Sequence, residues 1–146
     1  MTTQPALQPV TAHLSIRGAA DAIEFYKKAL GATELFRAPA EDGKRLMHAE
    51  ISVNGMKIYL MDHFPEHGTC GGGSVRLAPP PELKGTSIVL HLEVPNCDEA
   101  VKRAADAGAT IAMEPWDSFW GARYGQVVDP FGHVWSFAHP LPAKTA

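Results

Sequence analysis

The stretch HLSIRGAADAIEFYKKALGAT, residues 13–33, recurs in outline later in the chain. Residues 91–110 read HLEVPNCDEAVKRAADAGAT, which also opens on His-Leu and closes on Gly-Ala-Thr. Aligning His13 with His91 requires only one deleted residue to bring Gly31 onto Gly108. A similarity this long, found twice, indicates two copies of one supersecondary unit and excludes an array of short repeats.

Each copy begins with a predicted strand. In residues 11–16 and 87–94, apolar residues alternate with more polar ones, as in a strand that buries one face. His13 and His91 both fall on the less apolar face. We therefore expect the two histidines to project from equivalent positions, away from the packed core.

A helix is predicted after each first strand. In the first copy the apolar residues recur at helical spacing, and Gly31 supplies the stop. In the second copy Asn96 is the predicted N-cap, with Glu99 three residues later as in a capping box, and Gly108 ends the helix.

Three more strands follow each helix, which gives an α+β fold of two tandem β-α-β-β-β modules with a cleft between curved mixed sheets. They are predicted at 33–37, 46–53 and 56–62, and again at 110–113, 124–129 and 133–138. Asn54-Gly55 is a strong two-residue hairpin signal, and DPFG at 129–132 supplies the second turn. We predict a single domain over 1–146, with module one at about 9–64, a connector at about 65–85 and module two at about 86–139.

Bulk composition excludes several classes of protein. The 146 residues, 45% of them hydrophobic, suit one domain. A net charge of −3 without charged blocks argues against nucleic acid, and no apolar run approaches the ~20 residues that cross a membrane. Residues 1–10 lack the pattern of a secretory signal, so Cys70 and Cys97 are expected to be free thiols in a cytoplasmic protein.

Two longer segments resemble a known superfamily. GAADAIEFYKKALGA (18–32) and FWGARYGQVVDPFGHVWSFAH (119–139) are similar to the vicinal-oxygen-chelate superfamily, and within it to the PhnB-like, glyoxalase/bleomycin-resistance branch. The superfamily includes glyoxalase I, extradiol dioxygenases and the fosfomycin- and bleomycin-resistance proteins. The resemblance extends over about residues 9–139 and implies a small-molecule cleft and a homodimer. It does not identify an activity, because one fold hosts many chemistries.

The resemblance also gives the positions at which metal enzymes of this group hold their ion. Carried onto this sequence, they fall on Thr11, Tyr59, Val89 and Ser136. None of these is a good ligand for a divalent metal, so no cofactor is expected. Zinc, nickel or iron held at displaced positions, by His13, His91 and Glu50, is the alternative.

Pairing each hairpin predicts which side chains line the cleft. Around Asn54-Gly55, Glu50 should lie opposite Tyr59 and His48 opposite Met61. Around DPFG, the pairing predicts Gly125 opposite Ser136 and Arg123 opposite Ala138. The expected lining is Thr11, His13, Ser15, His48, Glu50, Tyr59, Met61, Val89, His91, Glu93, Arg123 and Ser136. A pseudo-twofold axis would relate His13 to His91 and could bring them together across the cleft.

The candidate residues divide by chemistry. Histidine's pKa near 6.5 suits proton transfer, so His13, His91 and Glu50 are the candidate catalytic groups. The candidate ligand-binding residues are His48, Tyr59, Met61, Trp120, Arg123 and Ser136. Each has a structural alternative: a histidine bonded to backbone, an arginine in a loop salt bridge, a tryptophan closing the core. His133 is expected on the apolar face, as a structural residue of its turn.

Three functions remain open at this point. The first is a binding protein that holds a flat or anionic small molecule in its cleft without the usual metal site. The second is a metal-dependent lyase, isomerase or dioxygenase that acts on vicinal oxygens with relocated ligands. The third is a dimeric scaffold without chemistry. The degenerate ligand positions favour the first, and whether the protein is an enzyme is left open.

Overall fold

The computed structural model describes residues 6–67 and 75–143. The first module contains β1 (Ala12–Ile16), α1 (Ala19–Leu30), β2 (Thr33–Pro39), β3 (Leu46–Val53) and β4 (Met56–Asp62). A 3₁₀ turn, Pro65–His67, and a short helix, α2 (Pro80–Leu83), follow in the connector. The second module contains β5 (Val89–Glu93), α3 (Cys97–Ala107), β6 (Thr110–Asp117), β7 (Ala122–Val128) and β8 (Val134–Pro140).

The two modules share one sheet topology. Their strand orders are β1-β4-β3-β2 and β5-β8-β7-β6. In each sheet the first strand runs parallel to the last, and the other neighbours are antiparallel. The predicted α+β fold of two β-α-β-β-β units is therefore confirmed.

The helices begin where side chains satisfy their exposed N–H groups. The Asp62 carboxylate accepts hydrogen bonds from the backbone N–H of Gly18 and Ala19 at 2.8 and 3.0 Å, which fixes the start of α1. The predicted cap of α3 is confirmed, since Asn96 Oδ1 accepts from the Glu99 N–H at 3.1 Å. None of the described helices is long and apolar enough to cross a membrane.

The apolar faces of both sheets pack into one shared core. Tyr26 of α1 lies with its ring centroid 5.3 Å from that of Trp135 on β8. Both side chains donate to the buried carboxylate of Asp129, from the Tyr26 hydroxyl at 2.5 Å and from Trp135 Nε1 at 2.9 Å. Because the helix-covered faces meet in this way, the opposite, polar faces of the two sheets point away from the core.

Two equivalent hydrogen bonds join the modules at the sheet edges. His133 Nε2 donates to the carbonyl oxygen of Ser15 in β1 at 3.0 Å, and Asn54 Nδ2 donates to that of Glu93 in β5 at 3.1 Å. Ser15 and Glu93 are equivalent residues in the alignment of His13 with His91. The last hairpin of each module thus covers the edge strand of the other. His133 is buried, as predicted for a structural residue.

The predicted strand register is correct for one of the two hairpins and wrong for the other. The register around Asn54-Gly55 is confirmed, since Glu50 pairs with Tyr59. The register around DPFG is wrong by one residue, because Gln126, rather than Gly125, lies opposite Ser136. The Asp129 N–H bonds to the His133 carbonyl and encloses three residues, and the last of them, Gly132, has φ +91°. This is a three-residue hairpin loop with a left-handed glycine, which is one residue longer than the predicted turn.

Candidate functional site

Three aromatic rings meet on the polar face of the first sheet. His13 of β1 lies beside Tyr59 of β4 in the strand register, and His48 of β3 adjoins both. The ring centroids are 5.6 Å apart for His13 and His48, 5.7 Å for His13 and Tyr59, and 4.7 Å for His48 and Tyr59, all edge to face. We call this cluster and its neighbours Glu50 and Met61 the first face. It brings together five residues that the sequence predicted to share one surface.

The charge on the first face is compensated within the face. One oxygen of the half-buried Glu50 carboxylate lies 3.2 Å from His48 Nε2, and the other lies 3.7 Å from Lys57 Nζ. Partial burial, and then the neighbouring His48, lower the pKa of His13 below its usual 6.5. His13 is therefore neutral at pH 7, and a neutral imidazole can donate one hydrogen bond and accept another.

The polar face of the second sheet, which we call the second face, is built around His91. Its Nδ1 lies 2.7 Å from the Ser136 hydroxyl, and its Nε2 lies 3.1 Å from a Glu93 carboxylate oxygen. Because a carboxylate only accepts, Nε2 carries a hydrogen and donates to Glu93, and Nδ1 shares a hydrogen bond with the Ser136 hydroxyl. His91 and Ser136 thus form an oriented pair, and both were predicted to line the cleft.

An aromatic ladder extends the second face toward the β6–β7 hairpin. The His91 ring is stacked on Tyr124 with centroids 6.0 Å apart, and Tyr124 lies 5.6 Å from Trp120. Trp120 in turn contacts Trp116 and Phe119 edge to face. Trp120 is 53% exposed and Phe119 93% exposed. The Trp120 side chain therefore lies on this surface and not in the core, as the ligand-binding interpretation required.

Tyr124 and Gln126 belong to the second face but were missed in the sequence. Gln126 Nε2 donates to the Tyr124 hydroxyl at 2.8 Å, and Gln126 lies beside Ser136 in the sheet. A register error of one residue moves every side chain of a strand to the opposite face. Gly132 was the available signal, because glycine at that position favours the three-residue loop that sets the true register.

Arg123 does not lie on a polar face, which corrects its predicted place in the cleft. It pairs with His139 in the sheet, on the helix side of β7. Its guanidinium bonds both carboxylate oxygens of Asp98, at 2.8 and 2.9 Å, and one oxygen of Asp117 at 3.1 Å. The structure thus agrees with the salt-bridge alternative, and the correct register explains why.

The structure does not bring His13 and His91, which could have met across a cleft, into contact within one chain. Within residues 6–67 and 75–143, no hydrogen bond or ring contact joins the first face to the second. The reason is that the modules meet through their helix sides, so each polar face is open to solvent. Phe36, which contacts His48 on the first face, is 51% exposed.

The positions that would hold a metal in related enzymes do not fit one here. Tyr59 belongs to the ring cluster, Ser136 is bonded to His91, and Val89 is half exposed. The Thr11 hydroxyl accepts a hydrogen bond from Gln8. In the described part of the chain, no group of three or more His, Cys, Asp or Glu side chains is arranged to hold an ion. We therefore derive no step through a metal.

Cys97, the one cysteine among the described residues, does not lie on the first or second face. Cys97 is a buried free thiol at the start of α3, where its Sγ donates to the Phe137 carbonyl at 3.2 Å. Burial raises the pKa of this thiol, so it is not an activated nucleophile. Cys70 lies outside the described residues.

Known proteins share both sequence and architecture with this chain. An uncharacterized protein of Mycobacterium tuberculosis is 45% identical over 141 residues, which cover 97% of this chain and 78% of the relative. The crystal structure of TioX from Micromonospora sp. ML1 is 26% identical with a TM-score of 0.68, covering 90% of this chain and 97% of that one. The PhnB protein of Bacillus cereus shares the fold at 16% identity and a TM-score of 0.60, covering 90% and 99% of the two chains.

The family itself is decided by a match along most of the sequence. The sequence model of the superfamily matches residues 9–137. This range includes both modules, except for the last residues of β8, and every candidate residue of the first and second faces. The chain therefore belongs to the Glyoxalase/Bleomycin resistance protein/Dioxygenase superfamily.

Proposed function

We propose that the protein binds a small organic molecule on its polar sheet faces, without the metal site of related enzymes. The observation that carries this proposal is the cluster of His13, His48 and Tyr59, three aromatic side chains with polar atoms on an open face. Rings of this kind contact a flat compound through their edges and faces while their polar atoms orient it. The protein would act in the cytoplasm as a binding protein.

A second copy of the chain would complete the cleft. In one chain the two faces point away from the shared core, so each has only one wall. In a homodimer the first face of one protomer would lie against the second face of its partner. Phe36 beside the first face and Trp120 on the second are each about half exposed, and Trp120 forms an exposed apolar cluster with Trp116 and Phe119, a feature that marks interaction surfaces.

The homodimer makes a direct prediction of mass. Light scattering coupled to size exclusion at micromolar concentration should give twice the chain mass of 15.7 kDa, or about 31 kDa. A single species near 16 kDa would reject the two-walled cleft.

Substitution of His13 tests the binding proposal. N-phenyl-1-naphthylamine, a neutral flat dye, should bind with a Kd that rises more than tenfold in His13→Ala, which is about 1.4 kcal/mol of binding free energy. Stability should change by less than about 1 kcal/mol, because His13 is an exposed residue outside the core. Dye fluorescence gives the Kd, and thermal unfolding gives the stability.

The matched control is Lys102→Ala, which alters an exposed side chain of α3 outside both faces. It should leave dye binding unchanged. Equal binding by the wild type, His13→Ala and His91→Ala would show that the dye does not use these faces. That result would overturn the proposed function.

A metal-dependent enzyme with relocated ligands remains the second candidate. It is favoured by the neighbouring imidazoles of His13 and His48, whose ring centroids are 5.6 Å apart, although no third His, Cys, Asp or Glu among the described residues joins them in a group that could hold an ion. Our proposal predicts well under one equivalent of zinc, nickel or iron in purified protein after exhaustive dialysis, measured by elemental analysis. Stoichiometric metal that resists dialysis, and is lost in His13→Ala, would replace our proposal with this one.

A further inference from the structure

An apolar cavity of about 320 Å³ continues the first face. Its lining includes Ser15, Met47, Met61, Phe64, His67 and Leu77. Ser15 pairs with Met61 in the sheet, and each lies two residues along its strand from His13 or Tyr59. The cavity therefore opens beside the ring cluster, and its size is at the lower end of small-molecule sites.

The aspartate and the arginine beside this cavity already have partners, while His63 and His67 also line it. The buried Asp62 carboxylate accepts three backbone N–H bonds, including that of Leu46 at 2.7 Å. Arg45 pairs with Asp42 and Glu66 while its guanidinium lies 4.3 Å from the centre of the Phe64 ring. A charged ligand would lose its hydration here without pairing with Asp62 or Arg45, which is costly.

The polar and apolar parts of this surface are complementary to one kind of molecule. Methionine sulfurs contact aromatic rings favourably, and Met47, Met61 and Phe64 supply such contacts. At the mouth of the cavity, a neutral imidazole accepts a hydrogen bond from a hydroxyl group, and the Tyr59 hydroxyl can donate or accept. Arg123, the residue that would have favoured an anion, lies on the other side of its sheet.

We propose that the first face selects a neutral, flat aromatic compound with a hydroxyl group, whose ring system enters the cavity and whose hydroxyl bonds to the His13–His48–Tyr59 cluster. This inference rests on the proposed function and specifies its ligand class. The sequence left open whether the ligand is flat or anionic, and this inference specifies a flat and uncharged ligand.

The test compares three probes with the same ring system: 2-naphthol, naphthalene and 2-naphthalenesulfonate. Isothermal titration of the full chain at pH 7.5 should show 2-naphthol binding at least tenfold more tightly than either of the others. Met61→Ala should weaken 2-naphthol at least fivefold. Met56→Ala should not, because Met56 is an exposed methionine of the β3–β4 hairpin and does not line the cavity. Thermal unfolding confirms that both variants are folded.

The outcomes separate this inference from the proposed function. Sulfonate binding equal to or tighter than 2-naphthol, or naphthalene binding equal to it, would overturn the neutral-hydroxyl inference. It would leave the proposed function intact if N-phenyl-1-naphthylamine still depends on His13. Absence of 2-naphthol binding at millimolar concentration, or equal losses in Met61→Ala and Met56→Ala, would likewise overturn the inference alone. Independence of the dye from His13 and His91 would overturn both.

Discussion

Replacing Asp129 by alanine is expected to lower the free energy of unfolding by about 3–5 kcal/mol, because several buried donors lose their acceptor at about 1–3 kcal/mol each. Asp129 is 3% exposed, and its carboxylate accepts four hydrogen bonds. Two come from the Tyr26 hydroxyl and the Trp135 indole, and two from the backbone N–H groups of Phe131 and His133. Alanine would leave these buried donors without a partner, at a cost for each one.

Urea unfolding followed by circular dichroism measures this effect, with Asp98→Ala as the matched control. Asp98 is an exposed aspartate that pairs with Arg123, so its loss should have a far smaller effect on stability. If the unfolding midpoints of the two variants fall together, Asp129 does not organise the junction between the modules.

Tyr26→Ala should destabilise the protein by a comparable amount, about 3–5 kcal/mol, as is typical when a large aromatic side chain is truncated in a core. Tyr26 is fully buried between α1 and β8, where it contacts Phe25, Phe131 and Trp135. Burial, and then the charge of Asp129, raise the pKa of its hydroxyl well above 10, so the group stays protonated and donates.

Two comparisons make the Tyr26 result specific. Tyr26→Phe keeps the ring and removes only the hydroxyl, so it should cost about 1.5–3 kcal/mol, the contribution of one hydrogen bond to a charged group, while Asp129 keeps its bond from Trp135. Dye affinity per folded molecule should stay at the wild-type value in both variants, because Tyr26 does not line the first face. A Tyr26→Ala protein as stable as His13→Ala would contradict the position of Tyr26 in the shared core.

The sequence predicted local structure better than the relation between the modules. The bounds of β3 and β4 and the hairpin at Asn54-Gly55 are confirmed, because a two-residue turn leaves a single register. The predicted register of the β7–β8 hairpin is wrong by one residue. The prediction pairs Asp129 with Gly132 across a two-residue loop, whereas Asp129 bonds to His133 across a three-residue loop that includes Gly132. Because of that one-residue difference, Tyr124 lies on the second face where Arg123 was predicted.

Alternation along a strand shows which face is buried but not what covers it. It correctly placed His13, His48 and Tyr59 on one surface, since they lie on three neighbouring strands of one sheet. It could not show that Tyr26 would pack against Trp135, because that contact depends on the docking of two modules distant in sequence. The expected cleft between His13 and His91 assumed instead that the polar sides face each other.

The bond between Tyr26 and Asp129 joins residues 103 positions apart, and this separation governs when the chain can become stable during synthesis. Contacts between distant residues form late, because closing a long loop costs entropy before the contact contributes. The first module emerges from the ribosome while its Tyr26 still lacks both the carboxylate and the indole that will surround it. A ribosome-bound chain that stops before β8 therefore exposes an apolar helix face, and the two modules gain their stability together as one cooperative unit.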